Sequence, residues 1–297
     1  MSQQVLETPA PIEETKPAPV NIKGANFARI VAAEFRKFAT LRSNWILLAV
    51  AGVVTVGFAL LGGWSLVLFK DTMMDQPDMQ GQAEADVNAM LADEGLHGTI
   101  GMSGLQLGVI LLGVLAVLAM SSEHGTGAIR SSLLAAPQRL GLLAAKAITM
   151  SVIVGATTFL LMLISHYAVY GFVEELGAAT SFFDEDTIWQ YGVATLFSIA
   201  VAWLGVGIGA LLRNNAGGIV TLFVLTLILP MIWMAFPEGW LADIGNNYLM
   251  MNLAQRAMDL TEEGSDIPRA AAIAGFFAWG LAGLIAGGVR LQNSDVK

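Results

Sequence analysis

Ser103 and His166 are the first side chains whose types could do chemistry. A serine with a histidine can form a nucleophile–base dyad, which would make this chain an intramembrane serine protease. Ser103 lies in "GMSG", at the mouth of an apolar run, and His166 lies in "LISHYAVY", within the next run. No second supporting motif accompanies them. Metal chemistry has few ligands to work with: there are no cysteines and three histidines. That excludes disulfides and thiolate sites and argues against zinc, leaving carboxylate sites open. There is no G-x-x-x-x-G-K-[ST] phosphate loop. No catalytic, cofactor or metal residues are therefore assigned. The densest polar stretch is "SSEHGTGAIRSSLLAAPQRLGLLAAK", Ser121 to Lys146, which holds a carboxylate, a histidine, two arginines and a lysine between two long apolar runs.

The elements that must position these groups are membrane spans. Of 297 residues, 55% are hydrophobic and 13% charged, with a mean hydropathy of +0.64. A soluble domain carries about 25% charged residues. Six apolar stretches reach the roughly 20 residues that a spanning helix needs: Trp45–Phe69, Gly104–Ser121, Ala147–Val169, Tyr191–Leu212, Gly217–Phe236 and Ala270–Val289. The runs are continuous and not alternating, so they predict helices and not barrel strands. Backbone groups in lipid must be satisfied within their own segment, which again requires helix. The predicted fold is all-α: a polytopic membrane protein of six transmembrane helices with an N-terminal amphipathic interfacial helix. Its predicted parts are a disordered tail over 1–22, an elbow helix over 23–44, a membrane domain over 45–290 and a short tail over 291–297. The first 22 residues hold four of the nine prolines and no apolar signal-peptide core.

Charge sets the expected orientation. With the N-terminus inside, twelve of the fifteen basic residues fall on inner segments, and only Lys70, Arg256 and Arg269 fall outside. Eighteen of the twenty-four acids fall outside. The positive-inside rule then places both termini in the cytoplasm. Arg213, Asn214 and Asn215 predict a tight inner turn, and a short helix is expected around Glu84–Leu96 in the first outer loop. Glycines four apart (Gly104/Gly108, Gly205/Gly209 and Gly283/Gly287) predict close helix packing.

Before the first span, Phe27, Ile30, Val31, Phe35, Phe38 and Leu41 recur at helical spacing, with Arg29, Arg36, Lys37 and Arg42 largely off that stripe. This predicts a basic amphipathic helix in the membrane interface. In the Ser121–Lys146 loop, Glu123 and His124 mark the end of span two, and Gly125 and Gly127 permit a sharp turn. Ala128–Ala136 can form a short helix with Ile129, Leu133 and Leu134 on one side, stopped by Pro137. Arg139 and Lys146 lead into span three. Such a helix fits either a partner's groove or lipid headgroups.

"AEFRKFATLRSNWILL" resembles the start of small ABC-2 type transporter permeases of Gram-positive, particularly actinobacterial, bacteria: an acidic residue, an aromatic, a lysine, then Leu-Arg-Ser and Trp. In the loop, Glu123, Gly127, Ile129, Arg130, Pro137, Arg139 and Lys146 resemble the same family's second motif, with His124 in place of an aromatic and Ala128 in place of threonine. The resemblance spans Phe27 to Arg290. It implies that Glu123, Gly127, Ile129, Arg130, Leu133, Pro137 and Arg139 contact an ATPase subunit through a coupling helix, and that Phe35, Arg36, Lys37 and Arg42 form the elbow helix. It implies an exporter permease, dimeric with itself or a second permease, carrying two ATPase copies. This chain would bind no cofactor, ATP being held by the partner, and no nucleic acid is expected. The alternatives are a non-transporting membrane sensor or accessory subunit, or the protease, whose "GMSG" is similar to the G-x-S-G of rhomboid proteases.

Overall fold

A computed structural model describes residues 26–74, 95–125, 139–233, 235–236, 238–260 and 267–293. Among these, every regular element is helical, and six helices are long and apolar enough to cross a membrane. The protein is an all-α, multi-pass membrane protein.

Helix α1 (Phe27–Thr40) starts where the Asn26 side chain accepts the Ala28 N–H at 2.9 Å, a capping bond that satisfies an otherwise orphan donor. It ends at Leu41, whose backbone is extended. The first span, α2 (Arg42–Met74), begins one residue later. Arg42 therefore opens the span and does not belong to the elbow helix. The elbow itself is shorter than the 23–44 expected, and residues 23–25 lie outside the described residues. α1 meets the bundle through Glu34 and Phe38, four residues apart on one face, while Phe27 and Leu41 at its ends stay exposed.

The second span is α4 (Leu105–Gly125), preceded by the short buried helix α3 (Leu96–Gly101). α3 folds into the bundle, so the end of the expected outer loop is part of the core. The helix expected at Glu84–Leu96 falls almost wholly outside the described residues. The third span, α5 (Arg139–Glu175), starts eight residues earlier than hydropathy predicts, because Lys146 interrupts the apolar run without interrupting the helix. α6 (Glu185–Leu212) is the central helix, packed against α4, α5 and the last span, α11 (Arg269–Gln292). Glu185 and Asp186 occupy its first turn, where carboxylates favour the helix dipole.

The tight turn expected at Arg213–Asn215 forms. Arg213 adopts φ 53°, and the Asn214 side chain accepts the Gly217 N–H at 2.9 Å. The fifth span follows as α7 (Asn215–Phe223), a π-helical turn (Val224–Ile228) and α8 (Leu229–Trp233). Pro230 has no N–H to give the preceding turn, and the winding loosens just before it. Two short helices, α9 (Trp240–Tyr248) and α10 (Met250–Met258), connect to α11.

All three glycine pairs sit at helix crossings. A Cβ on Gly104 would fall 2.1 Å from the Thr55 carbonyl oxygen of α2, and one on Gly205 would fall 2.6 Å from the Gly113 oxygen of α4. One on Gly287 would lie 2.5 Å from the Gly207 oxygen of α6. Backbones meet at these points, which is how small residues build membrane bundles.

Candidate functional site

Four charged side chains from three helices close into a ring at one end of the bundle. Glu34 and Lys37 come from α1, three apart and on one face. Glu123 comes from the last turn of α4, and Lys146 from the second turn of α5. Lys37 Nζ donates to Glu34 Oε1 at 2.7 Å and to Glu123 Oε1 at 3.2 Å. Lys146 Nζ donates to Glu34 Oε2 at 2.5 Å and to Glu123 Oε1 at 2.9 Å. The Lys146 side chain is only 3% exposed and that of Glu34 only 4%. The signs alternate around the ring and sum to zero. That neutrality is what makes burial tolerable, since a lone buried ion costs several kcal/mol. Glu123 also sits at a helix C-terminus, where the dipole disfavours a carboxylate, so the two ammonium groups hold it against that field.

Burial pushes the Glu34 carboxyl up, but the Lys146 charge and the hydrogen bonds from Lys146 and Lys37 outweigh it and hold the group below its ordinary range. Burial likewise pushes Lys37 down, and its bond to Glu34 with the field of Glu123 leaves it raised. Both shifts favour the charged ring. Glu123 Oε2 is buried without a partner among the described residues. Beside the ring lies a cavity of about 570 Å³, with Phe38, Leu47, Leu118 and Met150 among its apolar walls.

The site residues expected from sequence separate into groups. Glu123 and Lys37 are in the ring. Arg139 is the first residue of α5, and its Nη1 donates to the carbonyls of Leu291 at 2.9 Å and Gln292 at 3.2 Å. It thus caps the C-terminus of α11, an internal role that the sequence reading did not give it. Arg36 is exposed and Phe35 half-buried on α1. Gly127, Ile129, Arg130, Leu133 and Pro137 lie outside the described residues. The other two ring members, Glu34 and Lys146, stand in the motifs that carry the resemblance but were not assigned as site residues. Glu34 had a signal, a carboxylate on the inward face of an amphipathic helix. Lys146 had one too, a lone cation inside an apolar run. Ser121 adds a further tie at this end, donating to Asn215 Oδ1 at 2.6 Å and so fastening α4 to α7.

Ser103 and His166 do not pair. The Ser103 hydroxyl donates to the Ile100 carbonyl at 2.8 Å. His166 Nδ1 lies 3.1 Å from the Tyr191 hydroxyl, and its ring stacks on His97 with centroids 3.8 Å apart. His97, which sequence reasoning passed over, is fully buried. The Thr180 N–H donates to its Nδ1 at 3.0 Å, so the ring proton sits on Nε2, 3.1 Å from the His166 carbonyl that accepts it. Both nitrogens are thus satisfied in the neutral form, and burial lowers the pKa of His97. Among the described residues no group of three or more potential ligands is placed to hold a metal ion.

Fold and site together define a six-span, all-α integral membrane protein whose N-terminal helix is clamped to the ends of spans two and three. No protein-family model matches this chain, and no curated protein matches it.

Proposed function

We propose that this chain is the membrane-spanning permease subunit of a heteromeric ABC-2 type exporter, driven by a separate ATPase through the loop between α4 and α5. The observation that supports this reading is the ion ring. The two segments that resemble the permease family, one in α1 and one flanking the loop, are far apart in sequence and in contact in the fold. Lys146 reaches Glu34 across 112 residues and Glu123 across 23. A displacement of the loop is transmitted directly to the elbow helix and to both flanking spans. The proposed assembly has two permease copies and two ATPases, with ATP bound by the partner. It sits in a bacterial plasma membrane with both termini in the cytoplasm.

An ATPase reading frame beside this one is the natural partner to co-express. Arg130→Glu should leave insertion intact, while ATPase co-purification and transport-coupled hydrolysis both fall by about tenfold or more, the loss expected for one charge-assisted contact turned repulsive. Full association and full activity in that variant refute the coupling role. Failure of the wild-type chain to associate with any ATPase favours the sensor or accessory reading. For orientation, a cysteine placed by Asp184→Cys should react with an impermeant maleimide in intact cells, and one placed by Gln138→Cys should not.

A further inference from the structure

A second cavity, of about 500 Å³, lies at the opposite end of the bundle from the ion ring. Helix α4 separates the two. Leu105 lines the cavity and Glu123 belongs to the ring, about 27 Å apart at 1.5 Å per residue. The volume falls in the range of small-molecule sites, roughly 300–1,000 Å³.

Its lining is amphipathic and almost free of charge. Met102, Met251 and Met258 contribute thioethers from both sides, a soft surface that adapts to an apolar guest. Gln106, Gln190 and Gln255 contribute amides. The one ionisable group, Asp259, has a side chain 40% exposed and is held by Arg256 at 3.4 Å. Among the described residues, no other charged side chain lines the cavity to compensate an ionic guest, and an uncompensated ion would bear the full desolvation cost.

Gln190 marks the polar end. Its Nε2 makes only a long bond, 3.4 Å, to the Thr99 hydroxyl. Its Oε1 is tucked against Gly98 with no hydrogen-bond partner among the described residues, and such an acceptor costs about 1–3 kcal/mol until a turn of the amide toward the cavity brings a donor to it. Two glycines make the seat for this amide: a Cβ on Gly98 would fall 1.9 Å from Oε1, and one on Gly95 would fall 3.0 Å from Nε2. The cavity is thus bordered by an amide whose acceptor no described residue uses.

We propose that this cavity binds an uncharged amphipathic molecule that bears a hydrogen-bond donor, a hydroxyl or amide head on an apolar body of monoacylglycerol size. Naming that molecule the cargo rests on the permease reading; the binding itself does not.

The test uses the full chain in lipid nanodiscs and a monodecanoylglycerol probe with a diazirine in its chain. Photolabelling should map to Met102, Met251 or Met258, and excess unlabelled monodecanoylglycerol should suppress it. Decyl phosphate and decylammonium, with the same tail and opposite charges, should compete at least tenfold less well. Gln190→Leu should weaken labelling about tenfold, the worth of one hydrogen bond to a buried acceptor. If that variant does not fold, Ala254→Met, which fills the cavity from α10, should abolish labelling. Label scattered along the lipid-exposed face of α2 and indifferent to both variants overturns the proposal. Equal competition by either charged probe overturns the ligand class. An ATPase that fails to associate overturns the permease reading and leaves these results standing, so the two failures are distinct.

Discussion

Replacing Lys146 with methionine removes one charge from the ring and little volume. The side chain is 3% exposed, and it touches both Glu34 and Glu123. The variant leaves two carboxylates facing one ammonium, and that ammonium, on Lys37, is 43% exposed and already shared. Breaking a buried ion pair by deleting one partner costs about 3–5 kcal/mol. The cost falls on the docking of α1, because Glu34 is one of the two buried residues of that helix, Phe38 being the other. At about 1.4 kcal/mol per decade, the equilibrium for α1 release should rise by roughly two to nearly four orders of magnitude. Amide hydrogen exchange over Phe27–Thr40 in nanodiscs reads this directly. The pH dependence carries a second signature. In the wild type, the depressed pKa of Glu34 adds stability that is full above the ordinary carboxylate range and is lost only as pH falls through the lowered value. In the variant, the odd carboxylate relieves itself by taking a proton, so the defect should shrink as pH falls from 8 to 5. Adding Glu34→Gln to Lys146→Met should restore most of the protection by removing that charge. Unchanged exchange in the single variant, or no recovery in the double, refutes the view that the ring clamps α1.

Two further outcomes follow from the packing. His97 has a pKa lowered by burial, so the cap formed by α3 is fully stable above the ordinary histidine value and loses stability as pH falls below it; the amide protection factors of Leu96–Gly101, corrected for the intrinsic exchange rate, should fall between pH 7.5 and 5.5, and His97→Gln should flatten that dependence. Gly207→Val should destabilise far more than Gly192→Val, because a Cβ at Gly207 falls 2.1 Å from the Gly283 backbone while one at Gly192 meets nothing within 4 Å; equal thermal shifts for the two variants would contradict the close α6–α11 crossing.

The spans were legible in the sequence because hydropathy is a local property, and a run such as Ala147–Val169 needs no tertiary knowledge. The glycine crossings were legible for the same reason: spacing on one helix already implies a flat face. Helix ends were less so. α5 continues back to Arg139 because helical backbone bonds tolerate Lys146 once Glu34 and Glu123 neutralise it, and neither carboxylate is its neighbour in sequence. The ring itself required three helices to be placed against one another. Arg139 shows the same limit from the other side, since its partners at Leu291 and Gln292 are about 150 residues away. His97 was hidden because it lies in an acidic stretch that reads as loop until α3 folds inward.

The π-helical turn in the fifth span has a geometric consequence. In an α-helix, residues four apart overshoot one full turn by roughly 40°, so a stripe at that spacing spirals off its face within three steps. Val220, Val224, Ile228 and Ile232 keep that spacing across the whole segment, and all four remain exposed. The wider turn at Val224–Ile228 absorbs the overshoot of the middle step. A local defect in winding therefore slows the spiral of a branched aliphatic ridge along the fifth span, and whatever packs there, acyl chain or helix, meets a straighter strip than an unbroken α-helix would offer.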